Sequence, residues 1–152
     1  MDPDQVLQIQ SACERLSILY ARMVDFKQYE LVPEVFTEDA FLNAGGPLRG
    51  MEKIAKGMSR RPETLRSRHV LTNIFIQVLD ADRARGTSYL SLYRHVGEES
   101  LSPGAIELSG PAAVGEYEDE FRRTEDGWRI SSRVLHMQFR RASAFPEARR
   151  PR

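Results

Sequence analysis

A single cysteine, Cys13, in 152 residues excludes an internal disulfide and any site built from several thiolates. Its place in a helical apolar pattern suits a small core residue rather than a nucleophile. Histidine is nearly as scarce. His69, His95 and His136 lie too far apart in the chain to nominate a metal site. No apolar run is long enough to span a bilayer, and Met1-Asp2-Pro3-Asp4-Gln5 lacks the basic-then-apolar pattern of a signal peptide. A soluble cytoplasmic protein is therefore expected. Excess charge of either sign is missing too. Twenty-two Lys and Arg balance 22 Asp and Glu, so no overall field draws nucleic acid or an anionic membrane. Gly45-Gly46 lacks the lysine and following helix of a phosphate-cradling loop. Ser67 beside Arg68-His69 does not make a nucleophile triad.

What is present reads as one domain, large enough for a core without staples. From Pro3 to Val24, apolar residues recur at three and four (Val6, Ile9, Cys13, Leu16, Tyr20, Met23), which predicts a helix capped by Asp2. A short second helix is expected over Gln28–Phe36, interrupted by Pro33, with Thr37-Glu38-Asp39 ending it and a strand from Ala40. Gly45-Gly46-Pro47 predicts a turn before a third helix over Met51–Met58. The period then changes. Strands are expected over Arg68–Leu79, Arg83–Val96, Ala113–Thr124 and Trp128–Arg140, with tight turns at Asp80-Ala81-Asp82 and Glu125-Asp126-Gly127. Helices first and a meander after them give an α+β fold, helices packed on one face of the sheet. Residues 97–112, rich in Ser, Gly and Pro, read as a long connection, either an exposed loop or a cover for a pocket. The domain is expected to end at residue 141, and residues 142–152 to form a frayed tail.

Two titratable residues fall in segments whose neighbours suit burial: Asp25, closing the first helix, and His69, opening an apolar strand. A buried ionisable group is costly unless paired, and a histidine–carboxylate pair is a common solution. Along the strand, strict alternation puts His69, Leu71, Asn73, Phe75 and Gln77 on one face and Val70, Thr72, Ile74, Ile76 and Val78 on the other. The first set mixes polar and apolar groups as a pocket requires, and the second suits burial against another layer or a partner. Tyr20 lies about 140° around the helix from Asp25, so the two meet in one cavity only if the helix ends near Val24 or the sheet curls around it. Each residue also has a plainer role: Asp25 as a cap, His69 as its structural partner, Tyr20 as core, Asn73 at a sheet irregularity.

The order of elements carries a resemblance. Tyr20–Asp25, Val35-Phe36-Thr37-Glu38-Asp39-Ala40, Arg68-His69 with Asn73, Ser88-Tyr89-Leu90, Tyr117-Glu118-Asp119 and Gly127-Trp128-Arg129-Ile130 together resemble the SnoaL-like branch of the nuclear transport factor 2-like superfamily, over residues 5 to 140. The resemblance implies a cone: a strongly curved sheet around a long first helix, an apolar pocket open at one end, and a homodimer through the outer sheet face. Its polar residues are most similar to the dehydratase and dehydrochlorinase group, whose members pair an aspartate near the end of helix one with a histidine on a later strand. The resemblance thus implies Asp25, His69 and Tyr20 as catalytic residues, with Asn73 and Arg133 binding substrate. Arg133 is the nearest candidate for an arginine that those lyases carry on the last strand.

The expected activity is elimination or isomerisation of a small, mostly apolar molecule by an Asp25–His69 acid–base pair, with no metal and no organic cofactor. A non-catalytic ligand-binding or dimerisation module, or a polyketide cyclase-type enzyme using another carboxylate, stand as alternatives.

Overall fold

The structure, a computed structural model, describes residues 1–146. Helix α1 (Pro3–Asp25) starts at a reciprocal cap. The Asp4 N–H donates to the Asp2 carboxylate, and the Asp2 N–H donates to the Gln5 side chain. Its apolar stripe (Ile9, Cys13, Leu16, Tyr20, Met23, Val24) is buried. The predicted second helix is shorter than expected: a 3₁₀ turn at Tyr29–Leu31 and one α-turn, α2 (Val32–Val35). Phe36 to Asp39 belong instead to strand β1 (Phe36–Asn43), which pairs with a strand near the end of the chain. A short strand, β2 (Pro47–Arg49), folds back on β1, and α3 (Met51–Ser59) follows.

The long strands β3 (Leu65–Val78), β4 (Arg83–Val96), β5 (Ala113–Thr124) and β6 (Gly127–Arg140) sit close to their expected bounds. They join β1 and β2 in one six-stranded sheet of order β2-β1-β6-β5-β4-β3. All neighbours are antiparallel except β1 and β6, which run parallel. The sheet is curved and unclosed, with α1 packed along its concave face. Register shifts in β3, in β5–β6 and in β1–β6 supply the bends that curve it.

The shift in β3 corrects the expected alternation. Asn73 takes φ 51°, a left-handed conformation that asparagine tolerates better than most residues, and the pairing skips from Thr72 to Phe75. Before the bulge Leu65, Ser67, His69 and Leu71 face inward; after it Ile74, Ile76 and Val78 do. Val70 and Phe75 are exposed on the convex side.

The 97–112 connection includes a 3₁₀ turn at Glu98–Leu101. Arg66 holds it down, donating to the carbonyls of Glu99, Ser100, Ser102 and Gly104 at 2.6–3.2 Å. None of its residues lines the cavity that His69 faces. The expected tail divides: Ala142–Ala144 form a 3₁₀ turn with Ala144 buried, and Phe145 joins the cavity wall, while 147–152 lie outside the described residues. Among the described residues, no helix is long and apolar enough to cross a membrane.

Candidate active site

Helix α1 runs as far as Asp25 and stops there, because Phe26 leaves helical geometry and Lys27 turns to φ 56°. The Asp25 carboxylate meets β3 at this end. His69 Nδ1 lies 2.6 Å from Oδ1, the His69 backbone N–H donates to Oδ2 at 2.8 Å, and the Ser67 hydroxyl donates to Oδ1 at 2.8 Å. Arg61 Nη2 donates in turn to Ser67 Oγ at 3.3 Å. The side chains of His69 and Asp25 are only 7% and 6% exposed. Burial alone would raise the Asp25 pKa, but the bonds from His69 and Ser67 outweigh it and hold the carboxyl below its ordinary 3.8. Asp25 is therefore ionised at neutral pH. The stability it contributes is present above that ordinary value and is lost as pH falls through the depressed one. An anionic acceptor at Nδ1 fixes the proton there and leaves Nε2 as the basic nitrogen.

His69 lines a cavity of about 440 Å³, within the usual range for a small-molecule site. Its buried wall is Tyr20, Val24, Leu42, Met58, Leu90, Leu92 and Tyr117, and its exposed rim includes Gly45, Gly46, Arg60, Met137 and Arg140. Asp25 is not itself a wall residue; it acts on the cavity through His69. Tyr20 and Asp25 point to different sides of α1, as the 140° offset requires, and the curled sheet brings His69 and Tyr20 to one space.

Tyr20 packs edge-on against Phe36 and Tyr117, with ring centroids 5.9 and 5.7 Å away. The Arg133 guanidinium lies 4.4 Å from the ring centroids of both tyrosines. Burial raises the Tyr20 pKa, opposed by the cations of Arg133 and Arg61 and by a hydrogen bond with the Tyr117 hydroxyl. The phenol is thus protonated at neutral pH and can donate. Burial pushes Tyr117 well up as well.

Neither Arg133 nor Asn73 is among the residues that line the cavity. Arg133 is wholly buried and is not part of the wall. It makes a two-pronged ion pair with Asp119, Nε to Oδ1 and Nη2 to Oδ2 at 2.7 Å each, and donates from Nη2 to Ser17 Oγ at 3.0 Å. Asn73 is exposed at the bulge and away from the cavity wall. His95 is half-buried and pairs with Glu99, and His136 is exposed and approaches Glu118 at 3.5 Å; neither lines the cavity. Cys13 is a buried core residue whose thiol is pushed up to about 12 by burial and by Asp119. Among the described residues, no three His, Cys, Asp or Glu side chains converge as a metal-binding group.

The SnoaL-like domain profile matches residues 5–134. The chain belongs to the SnoaL-like family. Among solved structures similar to this SnoaL-like chain is the hexachlorocyclohexane dehydrochlorinase LinA-type3 of Novosphingobium barchaimii LL02, at TM-score 0.74 and 17% identity, covering 91% of this chain and 92% of that one. A candidate scytalone dehydratase from Novosphingobium aromaticivorans DSM 12444 aligns at TM-score 0.73 and 19% identity, covering 91% and 89%. A candidate aromatic ring hydroxylase from Novosphingobium aromaticivorans aligns at TM-score 0.70 and 26% identity, covering 88% and 91%. These place the SnoaL-like chain in the nuclear transport factor 2-like fold. No curated protein matches it.

Several residues of this SnoaL-like site escaped sequence reasoning. Ser67 shares an inward face with His69 two residues on, a signal that was available. Arg60, Arg61, Arg94, Arg140 and Phe145 line the cavity from three separate parts of the chain, and no local pattern announces that.

Proposed function

We propose that the protein is a small-molecule lyase or isomerase in which His69, oriented by Asp25, is the general base. The observation that carries this reading is the 2.6 Å contact between an imidazole and a carboxylate, both almost inaccessible, at the wall of a 440 Å³ cavity. His69 Nε2 removes a proton from carbon next to a carbonyl or a leaving group. The released pair forms a double bond, and either the leaving group departs or the proton is returned at another carbon. Tyr20 donates to the developing oxyanion or departing group. Asp25 balances the charge that His69 acquires, in surroundings that exclude water. Arg133 acts from behind as a positioning residue, its charge opposing the rise in the Tyr20 pKa. The names of the dehydrochlorinase and the candidate scytalone dehydratase support an elimination. The cyclase-type alternative draws no support, since no Asp or Glu is among the described wall residues.

The test is a ligand screen by thermal shift, followed by turnover of the hits. Asp25→Asn is expected to lower kcat about 10²–10⁴-fold with ligand affinity nearly unchanged. Unchanged turnover would remove the pair from the mechanism. A ligand bound alike by both proteins and turned over by neither would make the domain a binding module.

The proposal extends to a homodimer through the convex sheet face, supported by Val70, Phe75, Tyr89 and Phe139, each 45–72% exposed there. Sedimentation velocity is expected to give a dimer that Phe139→Glu weakens. A monomer at micromolar concentration would overturn this arrangement.

A further inference from the structure

We infer that the substrate carries an oxyanion at one end of its apolar body, and that Arg60 and Arg140 hold this group at the cavity mouth. The inference rests on the reading above of the cavity as the place where substrate reacts. It starts from a mismatch of sign. The chain has as many acidic as basic residues, yet among the described residues lining the cavity four are arginines and none is Asp or Glu. The Asp25 carboxylate lies behind His69 with both oxygens engaged.

The arginines are arranged by depth. Arg61 is half-buried and turned to Ser67. Arg94 is half-buried and donates to the Ala144 carbonyl at 2.8 Å. Arg60 and Arg140 are exposed on the rim, and neither side chain donates a hydrogen bond to a described residue. Phe145 organises the opening: its ring centroid lies 4.5 Å from the Arg94 guanidinium carbon and 4.6 Å from that of Arg140. The fold therefore spends an aromatic side chain on keeping two cations beside one opening.

A lone exposed arginine is ordinary surface. A collar of one sign around an apolar hollow concentrates its field in the opening and attracts anions. A neutral substrate gains nothing from it. An amphiphilic anion places its body against Leu42, Leu90 and Leu92 and leaves its charge at the rim, still partly hydrated, so the cost of burying an ion is avoided. A carboxylate, a sulfonate and a phosphate share this chemistry.

Two fluorescent probes with one skeleton make the test: 8-anilinonaphthalene-1-sulfonate and the uncharged N-phenyl-1-naphthylamine. The sulfonate is expected to bind about tenfold more tightly at one site per chain, the sum of two partly exposed ion pairs. The preference should shrink towards about 1 M salt, where the screening length falls to about 3 Å. Arg60→Gln/Arg140→Gln should lose it while keeping affinity for the neutral probe, which also reports that the cavity is intact. Among competitors, 2-naphthoate and 2-naphthyl phosphate should displace the sulfonate better than 2-naphthol, and the tighter of the two identifies the oxyanion. Equal affinity of the two probes, a double variant that keeps the preference or loses both probes alike, or 2-naphthol competing as well as the anions, would overturn the inference. No turnover is measured, so this outcome and the fate of the Asp25–His69 mechanism are read separately.

Discussion

His69→Asn is expected to cost about 10²–10⁴-fold in kcat, with KM changed little, because it deletes the proposed base and little else. Asparagine places an amide nitrogen close to where Nδ1 stood, so a donor to Asp25 Oδ1 is retained. The His69 backbone N–H and the Ser67 hydroxyl still satisfy the rest of the carboxylate. What disappears is the ring nitrogen that the proposed mechanism uses to accept the proton. Circular dichroism and the denaturation midpoint should therefore stay near wild type while turnover collapses. His69→Ala is a less clean comparison, since it removes both the base and a bond to a nearly inaccessible carboxylate. Near wild-type turnover in His69→Asn would exclude the imidazole from the chemistry.

The largest expected effect on stability belongs to a residue outside the cavity wall. Arg133→Met leaves the Asp119 carboxylate, 2% exposed, without its cation, and truncating one partner of such a pair costs about 3–5 kcal/mol. For a chain of this length that is a fall in Tm on the order of 10 °C, measured by calorimetry. Arg133→Met/Asp119→Leu should recover most of it, because an apolar replacement of the whole pair leaves no charge stranded. A surviving loss of turnover in that refolded double variant would come from Tyr20, whose pKa Arg133 holds back from the full rise that burial imposes. A Tm unchanged by Arg133→Met would show that the pair contributes nothing to the folded state.

The sequence made the helix-to-sheet order readable wherever the cause was local. The three- and four-residue spacing of Ile9, Cys13, Leu16 and Tyr20 marks α1, and Asp126-Gly127 marks the last hairpin. Strand β1 was hidden because its neighbour in the sheet, β6, comes some ninety residues later. Periodicity could not reveal the Asn73 bulge either, since one inserted residue leaves the same letters while exchanging the faces that follow. Within the site, Asp25, His69 and Tyr20 stood out as polar groups at positions whose neighbours are buried. The arginines of the cavity look in the sequence like any solvated charge, and only folding collects them. Arg133 was noticed, but its partner Asp119 could not be, because the pairing depends on the register between β5 and β6.

Asp25 has a further consequence for how this protein can change. Its two oxygens fasten the first helix to the third strand and, through the same contacts, set which imidazole nitrogen is left open. Heat tolerance and reactivity at this joint are therefore not separately adjustable. Improvement of the fastening by mutation must pass through the atoms that aim the proposed base, whereas the rim beyond it is free to drift toward new molecules.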